Sequence, residues 1–238
     1  MSSGAVSPTA ALGVSAGSKA LPFFSSTLGK KVVMAVTGLI GYGFVIGHMA
    51  GNLQVYLGPA AMNAYAEFLR EMLHGAGLWI ARGVLLLAVL LHVWAASALT
   101  LESWAARPAG YRKKAPREAT FASRTMMLSG PILLFFILYH LAHFTWGVRA
   151  VHPNFIPGDA YHNFVVGFQS LPASLFYIVA MLCLGLHLYH GAWSMLQTLG
   201  LSHPRWNRLR FAIATLVTAA VVIGNISFPV AVQLGILR

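Results

Sequence analysis

The sequence predicts an all-α integral membrane protein, built as a bundle of five transmembrane helices. Its 238 residues are 58% hydrophobic and only 9% charged, with a mean hydropathy of +0.70. A soluble domain carries about a quarter charged residues, so this composition cannot supply a polar surface. Five apolar segments each reach the length of about 20 residues that a bilayer requires. They run from Val32 to Val55, Leu78 to Leu101, Thr125 to Val148, Pro172 to Leu199 and Phe211 to Leu234.

Lysine and arginine are distributed unevenly around these spans, and the net charge is +11. The N-terminal flank and the second and fourth connections hold Lys19, Lys30, Lys31, Arg107, Arg112, Lys113, Lys114, Arg117, Arg124, Arg205, Arg208 and Arg210. The first and third connections hold only Arg70 and Arg149. The positive-inside rule therefore predicts a cytoplasmic N-terminus and an external C-terminus. We attribute the basic excess to this topology, not to nucleic-acid binding. "Inner" and "outer" refer below to this predicted orientation.

The chain divides into a short tail and one membrane domain. Residues 1–24 are rich in Ser, Gly and Ala, lack the apolar core of a signal peptide and predict a mobile N-terminal tail. Residues 25–238 form the transmembrane domain. The lone cysteine, Cys183, lies within a span and is expected to be a small core residue. A single thiol excludes an internal disulfide and an iron–sulfur cluster held by this chain alone.

The two outer connections have different characters. Ala60 to Leu73 carries Glu67, Arg70 and Glu71 among apolar residues, as expected of a short interfacial helix. The segment from His152 to Ser170 contains prolines and glycine and predicts an irregular loop. The histidines of the connections are expected to be solvated; they are His74, His152, His162 and His203.

Four further histidines lie inside the first four spans, one in each: His48, His92, His140 and His187. Lipid cannot supply a polar partner for imidazole, so an intramembrane histidine indicates a functional site. With a helix rise of 1.5 Å per residue, His48 and His140 lie about 24 and 22 Å from the inner span ends. His92 and His187 lie about 14 and 18 Å from them. The histidines therefore form two layers, an outer pair (His48 and His140) and an inner pair (His92 and His187).

A weak internal repeat accompanies the outer pair. Thr37-Gly38 precedes His48 by the same spacing at which Ser129-Gly130 precedes His140. Glycine at this depth either lets a bulky group approach the backbone or allows two helices to pack closely, and the sequence favours neither explanation.

Two histidines at one depth suit haem better than a bare metal ion. Zinc or copper usually takes a third or fourth side-chain ligand, and the spans contain no Asp or Glu, with Glu102 at a span end. Haem iron takes two axial imidazoles on opposite faces of an apolar macrocycle that fits between helices. The two layers thus predict two haems, and their closed coordination favours electron transfer over oxygen chemistry.

Spans three and four each carry a second histidine, His143 and His190, three residues further along. Each lies on nearly the same helix face as its neighbour. By depth alone, His190 matches His92 better than His187 does. Periodicity and depth leave the choice within each of these two sets open.

Several short motifs stand in a specific order along the chain. They are Ser25-Ser26 with Lys30-Lys31, Thr37-Gly38, Gly47-His48 with Asn52, the Phe-rich stretch from Ser129-Gly130 to His140, and His187-x-x-His190-Gly191-x-x-Ser194 with Gln197 and Gly200. In this order they resemble the five-helix dihaem cytochrome b subunit of succinate:quinone oxidoreductases. This is the succinate dehydrogenase and fumarate reductase group with a b558-type cytochrome, and the resemblance covers nearly the whole chain.

The resemblance implies that His48 and His140 ligate an outer haem b, and His92 and His187 an inner haem b. In the family, the span-four ligand stands four residues before the glycine, which selects His187.

His143 and His190 are accordingly expected to be neighbouring or packing residues. Some dihaem fumarate reductases carry a glutamate two residues before the span-four ligand, linked to compensating proton movement. Here Gly185 occupies that position, which puts such a proton path in doubt.

The resemblance also implies a function and partners. The chain would be the membrane anchor and electron conduit of succinate dehydrogenase or fumarate reductase, with no succinate site of its own. A flavoprotein subunit and an iron–sulfur subunit would dock on the cytoplasmic face of a bacterial cytoplasmic membrane. Electrons would pass through two b haems to a quinone, expected to be menaquinone.

A quinone needs proton donors as it is reduced, and Glu67 and Glu71 follow span one on the outer side. We expect Glu67 to belong to the quinone site; the alternative is an interfacial carboxylate paired with Arg70. The basic residues at the inner span ends are Lys30, Lys31 and Arg124. They either meet haem propionates or a partner subunit, or only determine topology.

Two other functions compete with this interpretation. A dihaem cytochrome b of another dehydrogenase, such as a hydrogenase or formate dehydrogenase, shares the same cofactor chemistry. A haem-free transporter or proton channel would use the histidines as a relay, but it predicts carboxylates facing a cavity or broken inverted repeats, and neither is present in the sequence.

Overall fold

The computed structural model describes residues 23–106 and 121–238, apart from the side chains of residues 122 and 123. This part of the chain contains seven α-helices and no strand. They are α1 (Thr27–Asn52), α2 (Pro59–Glu71), α3 (Ala76–Ala105), α4 (Phe121–His140), α5 (Ala160–Gln169), α6 (Leu171–Thr198) and α7 (Asn207–Gln233). Helices α1, α3, α4, α6 and α7 are long and apolar enough to cross a membrane. The predicted all-α bundle of five spans is confirmed.

Some of the predictions fall on other parts of the chain. Most of the N-terminal tail, with Lys19, lies outside the described residues. The same holds for the basic residues Arg107, Arg112, Lys113, Lys114 and Arg117 of the second connection.

Three of the other spans pack around α6. Helix α6 contacts α1, α4 and α7, and α1 also packs along α3. An ion pair between Lys30 of α1 and Glu102 of α3 joins the inner ends of these two antiparallel helices. The hydroxyl of Ser26 accepts a hydrogen bond from Gly29 N at 3.0 Å and caps the start of α1.

The outer end of the bundle is closed by the two short helices. Helix α2 is present where the sequence predicted a short helix. The prediction of an irregular loop from His152 to Ser170 is wrong in its second half, because α5 occupies that part. Asp159 begins α5 by accepting from His162 N at 3.0 Å, and Asn63 of α2 donates to the same carboxylate at 3.0 Å. Helix α5 therefore starts from a carboxylate cap and is held against α2.

The sides of the spans that face away from the bundle are strongly apolar. Phe135 of α4 and Leu216 and Ile223 of α7 are each 69% exposed. Surface of this kind is stable when hydrocarbon surrounds it, because the helices satisfy their own backbone hydrogen bonds. The chain is a multi-pass membrane protein.

Helix α4 ends in an irregular turn beside two of the histidines. After His140, residues Leu141–Thr145 form a π-helical turn, in which Trp146 N donates to the Leu141 carbonyl at 2.8 Å. Wider turns of this kind inside or at the end of an α-helix occur frequently at functional sites. The turn buries His143 against the aromatic core at the outer end.

Candidate functional site

The structure brings the four histidines of the first four spans together in two pairs. The ring centroids of His48 on α1 and His140 on α4 are 5.6 Å apart, with ring planes at 89°. The ring centroids of His92 on α3 and His187 on α6 are 6.1 Å apart, with ring planes at 58°. These are the outer and inner pairs that helix depth grouped from the sequence.

The neighbouring histidines occupy different surroundings. His143 is 1% exposed and packs against Phe144 and His152, with ring centroids at 4.2 and 5.0 Å. Within the described residues, neither His143 nor His190 makes a ring contact with His48 or His92. The geometry therefore pairs His140 with His48 and His187 with His92. His143 and His190 belong to neither pair.

A hydroxyl group lies beside each histidine of the inner pair. Thr37 Oγ1 donates to the Val33 carbonyl at 2.7 Å and lies 3.2 Å from His92 Nδ1. The hydroxyl has one hydrogen, so towards His92 the Thr37 oxygen is the acceptor and Nδ1 carries the proton. Ser129 Oγ repeats the arrangement, at 3.4 Å from the Met126 carbonyl and 3.5 Å from His187 Nδ1. In both rings Nε2 then keeps the lone pair that binds a metal.

The outer pair has a different set of neighbours. His140 Nδ1 lies 3.2 Å from the Tyr177 hydroxyl, which also lies 3.1 Å from His143 Nδ1. His48 Nε2 lies 3.3 Å from the side-chain amide of Asn52. His140 is thus arranged like the inner histidines, whereas His48 requires rotation of its ring or of the Asn52 amide to free Nε2.

The spacing within each pair fits axial ligation of haem iron. An imidazole nitrogen binds a metal at about 2 Å, so two imidazoles on opposite sides of one ion have centroids roughly 6 Å apart. The two observed separations, 5.6 and 6.1 Å, are close to this value. Among the described residues, no three His, Cys, Asp or Glu side chains are grouped to hold an ion. A pair suits an ion that brings its own equatorial ligands, as haem iron does.

One glycine on α1 and one on α6 provide open space near the histidine pairs. Gly41 is two turns from His48 and on the same face of α1, and Gly191 is one turn from His187 on α6. A Cβ atom added at either glycine would meet nothing within 4 Å, although both positions are half-buried. These glycines leave room for a flat group next to the histidines.

The two glycines of the sequence repeat have different environments. A Cβ at Gly38 would lie 3.5 Å from the His92 ring, whereas a Cβ at Gly130 would meet nothing within 4 Å. Neither glycine therefore lies against the backbone of another helix. Close helix packing instead involves Gly185, where a Cβ would lie 2.8 Å from the Val222 side chain of α7.

The histidines of the connections are not all solvated. His74 and His203 are exposed, as expected, and His162 is half-buried. The prediction is wrong for His152, which is 2% exposed and whose ring nitrogens have no hydrogen-bond partner among the described residues. The cause is the contact of its ring with the aromatic cluster of the outer end, including Phe155 at a centroid distance of 5.4 Å.

The charged candidates lie at the surface. Glu67 is exposed on α2, and Arg70 donates to the Gly158 carbonyl at 3.4 Å; no ion pair between them is present in the described part of the chain. Lys30 is engaged by Glu102, so it has a structural role between α1 and α3. Lys31 and Arg124 are exposed.

Some site residues were not recognised in the sequence. The motifs Thr37-Gly38 and Ser129-Gly130 were noted for their glycines, but it is the hydroxyl groups that reach the inner pair. Their position in the inner half of spans one and three was the available signal. Tyr177 was missed, because a lone tyrosine in an apolar run carries no pattern that distinguishes it from a core residue.

The fold and the paired histidines define a multi-pass membrane protein with two histidine pairs between its spans. A family model described as succinate dehydrogenase/fumarate reductase transmembrane subunit matches residues 106–224, which is half of the chain. The chain therefore belongs to this family, and it is a membrane subunit of that enzyme complex. No curated protein and no solved structure matches it. The matched region includes His140 and His187. His48 and His92 lie before it and are not part of the match.

Proposed function

We propose that this chain anchors succinate:quinone oxidoreductase in a bacterial cytoplasmic membrane and conducts electrons between an iron–sulfur subunit and quinone. The observation that carries the proposal is the presence of two histidine pairs in separate layers of one bundle, each with the spacing of two metal–imidazole bonds. Membership of the succinate dehydrogenase/fumarate reductase family supports it.

In this proposal, His48 and His140 hold the outer haem b, and His92 and His187 the inner one. When bound, the two haems supply one-electron redox chemistry. The imidazoles of these four residues would be the chain's ligands to the two irons, an arrangement that favours electron transfer over oxygen chemistry. Their place within apolar spans would keep water away from the iron and influence its redox potential.

The inner surface offers a docking site for the partner subunits. With Lys30 engaged by Glu102, the exposed basic side chains that remain in the described part of this end include Lys31, Arg124, Arg205 and Arg208. A surface of one sign steers and orients a partner of the opposite sign. We propose that an acidic face of the iron–sulfur subunit docks here and carries the flavoprotein subunit with it.

The proposal is tested by redox-difference spectra of the purified protein and of single alanine variants. Wild-type protein is expected to show two b-type components. His48→Ala and His140→Ala should remove the same component, and His92→Ala and His187→Ala should remove the other.

The matched controls are His143→Ala and His190→Ala, three residues from a ligand on the same helix, which should keep both components. Wild-type protein without b-type bands would contradict the haem assignment. Loss of the inner component in His190→Ala but not in His187→Ala would contradict the choice of ligand.

We further propose that quinone, with menaquinone as the expected species, reacts at the outer end and that Glu67 supplies a proton there. Its carboxylate is exposed and is not engaged by Arg70, which bonds to the Gly158 carbonyl instead. Glu67→Gln should lower quinone reduction by about 10²-fold, the lower end of what a positioned acid contributes. Reduction of both haems by succinate should be unchanged. Glu71→Gln on the same helix is the control, and equal effects of the two variants would exclude a specific role for Glu67.

A further inference from the structure

The hydroxyl groups of Thr37 and Ser129 stand in equivalent places on two parallel spans. Thr37 lies on α1 and reaches His92 of α3, and Ser129 lies on α4 and reaches His187 of α6. Each hydroxyl contacts the Nδ1 atom, on the side of the ring away from the Nε2 lone pair. The two contacts therefore serve the two members of one pair, and that pair is the inner one.

The directions of the hydrogen bonds follow from the backbone of each span. Thr37 gives its single hydrogen to Val33 O at 2.7 Å, and Ser129 has the Met126 carbonyl at 3.4 Å. Each oxygen is then free to accept from an imidazole N–H. Thr37 and Ser129 are buried, with exposures of 7% and 2%, so water does not compete for these bonds.

We infer that Thr37 and Ser129 are positioning residues that fix the tautomer and ring orientation of His92 and His187 and thereby lower the potential of the inner haem. This inference rests on the proposed haem ligation. A hydrogen bond accepted from Nδ1–H raises the basicity of the ligating nitrogen and holds the ring in place. A more basic ligand stabilises the oxidised metal, so the reduced state of the inner haem is disfavoured relative to the unbonded case.

The outer histidines contact neither Thr37 nor Ser129, so the outer pair provides an internal reference. His140 has a phenol as its neighbour, and His48 has an amide at Nε2. Removing either hydroxyl should change the inner component alone. The Met34 carbonyl is a second acceptor beside the His92 ring, so the effect at Thr37 should be the smaller of the two.

The experiment is a spectroscopic redox titration of detergent-purified Thr37→Val and Ser129→Ala. At a fixed applied potential, the reduced-to-oxidised ratio of the inner component should rise by up to about tenfold in each variant. A tenfold change corresponds to 59 mV for one electron. Thr37→Ser and Ser129→Thr, which retain the hydroxyl, should restore the wild-type value.

Thr215→Val is the matched control, because Thr215 makes the same bond to the carbonyl four residues back, also at 2.7 Å, on an exposed face of α7. It should leave both components unchanged. An unchanged inner component in Thr37→Val and Ser129→Ala would overturn the inference. Equal shifts of both components, or no recovery in the conservative variants, would overturn it as well.

A readout without haem separates this inference from the proposed function. Nitrogen NMR of histidine-labelled, haem-free protein should show His92 and His187 protonated at Nδ1 in the wild type. The Nε2-protonated tautomer should appear for His187 in Ser129→Ala and, to a smaller extent, for His92 in Thr37→Val. If the protein proves to bind no haem, the ligation proposal fails by the spectra described above. If it binds two haems but the tautomers and the inner potential do not respond, only the present inference fails.

Discussion

At the scale of single residues, His152 shows how the surroundings of a histidine decide its chemistry. It lies in the outer connection, but its ring is buried between His143 and Phe155, with no hydrogen-bond partner among the described residues. Burial lowers the pKa of the His152 imidazole, and the nearby His162 lowers it further. A buried polar group without a partner costs about 1–3 kcal/mol of folding free energy.

The sign of the pH dependence follows from this lowered pKa. Below its ordinary value of about 6.5, the unfolded His152 takes up a proton that the folded protein excludes, so stability falls as the pH falls. We expect His152→Leu to raise the free energy of unfolding by about 1 kcal/mol at pH 7 and to reduce the loss of stability between about pH 6.5 and 5. Thermal denaturation of the purified protein at several pH values measures both effects.

The control for this prediction is His203→Gln. His203 is exposed, and glutamine retains an acceptor for the hydrogen bond from Arg205 N, so the substitution should change stability by less than about 0.5 kcal/mol. A His152→Leu variant that is less stable than wild type at both pH 7 and pH 5 would contradict the prediction. The unpaired imidazole would then not be destabilising.

At the scale of helices, the five spans were predictable because each carries its own signal. An apolar run of about 20 residues without charge has few alternatives to a transmembrane helix. The short helix α5 was not predicted, because the prolines and glycine before it dominated the pattern. The available signal was Asp159, a favourable N-cap, followed by a run of apolar residues. Its carboxylate accepts from His162 N and from Asn63, and these bonds lower its pKa.

Less of the site than of the spans could be predicted from the sequence. Helix rise and orientation suffice to sort four histidines into two layers, and the structure places the members of each layer 5.6 and 6.1 Å apart. The choice between His140 and His143 depends on rotation about α4 and on the π-helical turn that follows it. A turn of that kind arises from tertiary packing, so periodicity alone cannot reveal it.

Helix packing also accounts for the departure at Gly185. Its absent side chain admits Val222 of α7, since a Cβ would lie 2.8 Å from the valine methyl group. Valine is stiff at χ1 and cannot move aside without displacing its helix. A glutamate at this place would therefore separate α6 from α7.

At the scale of the whole molecule, charge is what distinguishes the two ends of the bundle. The end with Lys31, Arg124, Arg205 and Arg208 is strongly basic, whereas the described connections at the opposite end contain Glu67, Glu71 and Asp159 with Arg70 and Arg149. Basic loops are retained on the cytoplasmic side during insertion. The same end would then face the soluble partner subunits, and the outer pair would lie towards the external side.

This orientation is tested with single cysteines placed in exposed connections at the two ends. Asn154→Cys lies between α4 and α5, and Ser202→Cys lies between α6 and α7; both positions are exposed. In intact cells, a membrane-impermeant maleimide should label Asn154→Cys and spare Ser202→Cys, and permeabilised cells should show both labelled. The wild-type chain is the control, because its own Cys183 lies half-buried within α6 and should stay unlabelled. Labelling of Ser202→Cys alone in intact cells would show that the topology is the reverse of the predicted one. It would then place the basic end outside, where a cytoplasmic iron–sulfur subunit cannot dock.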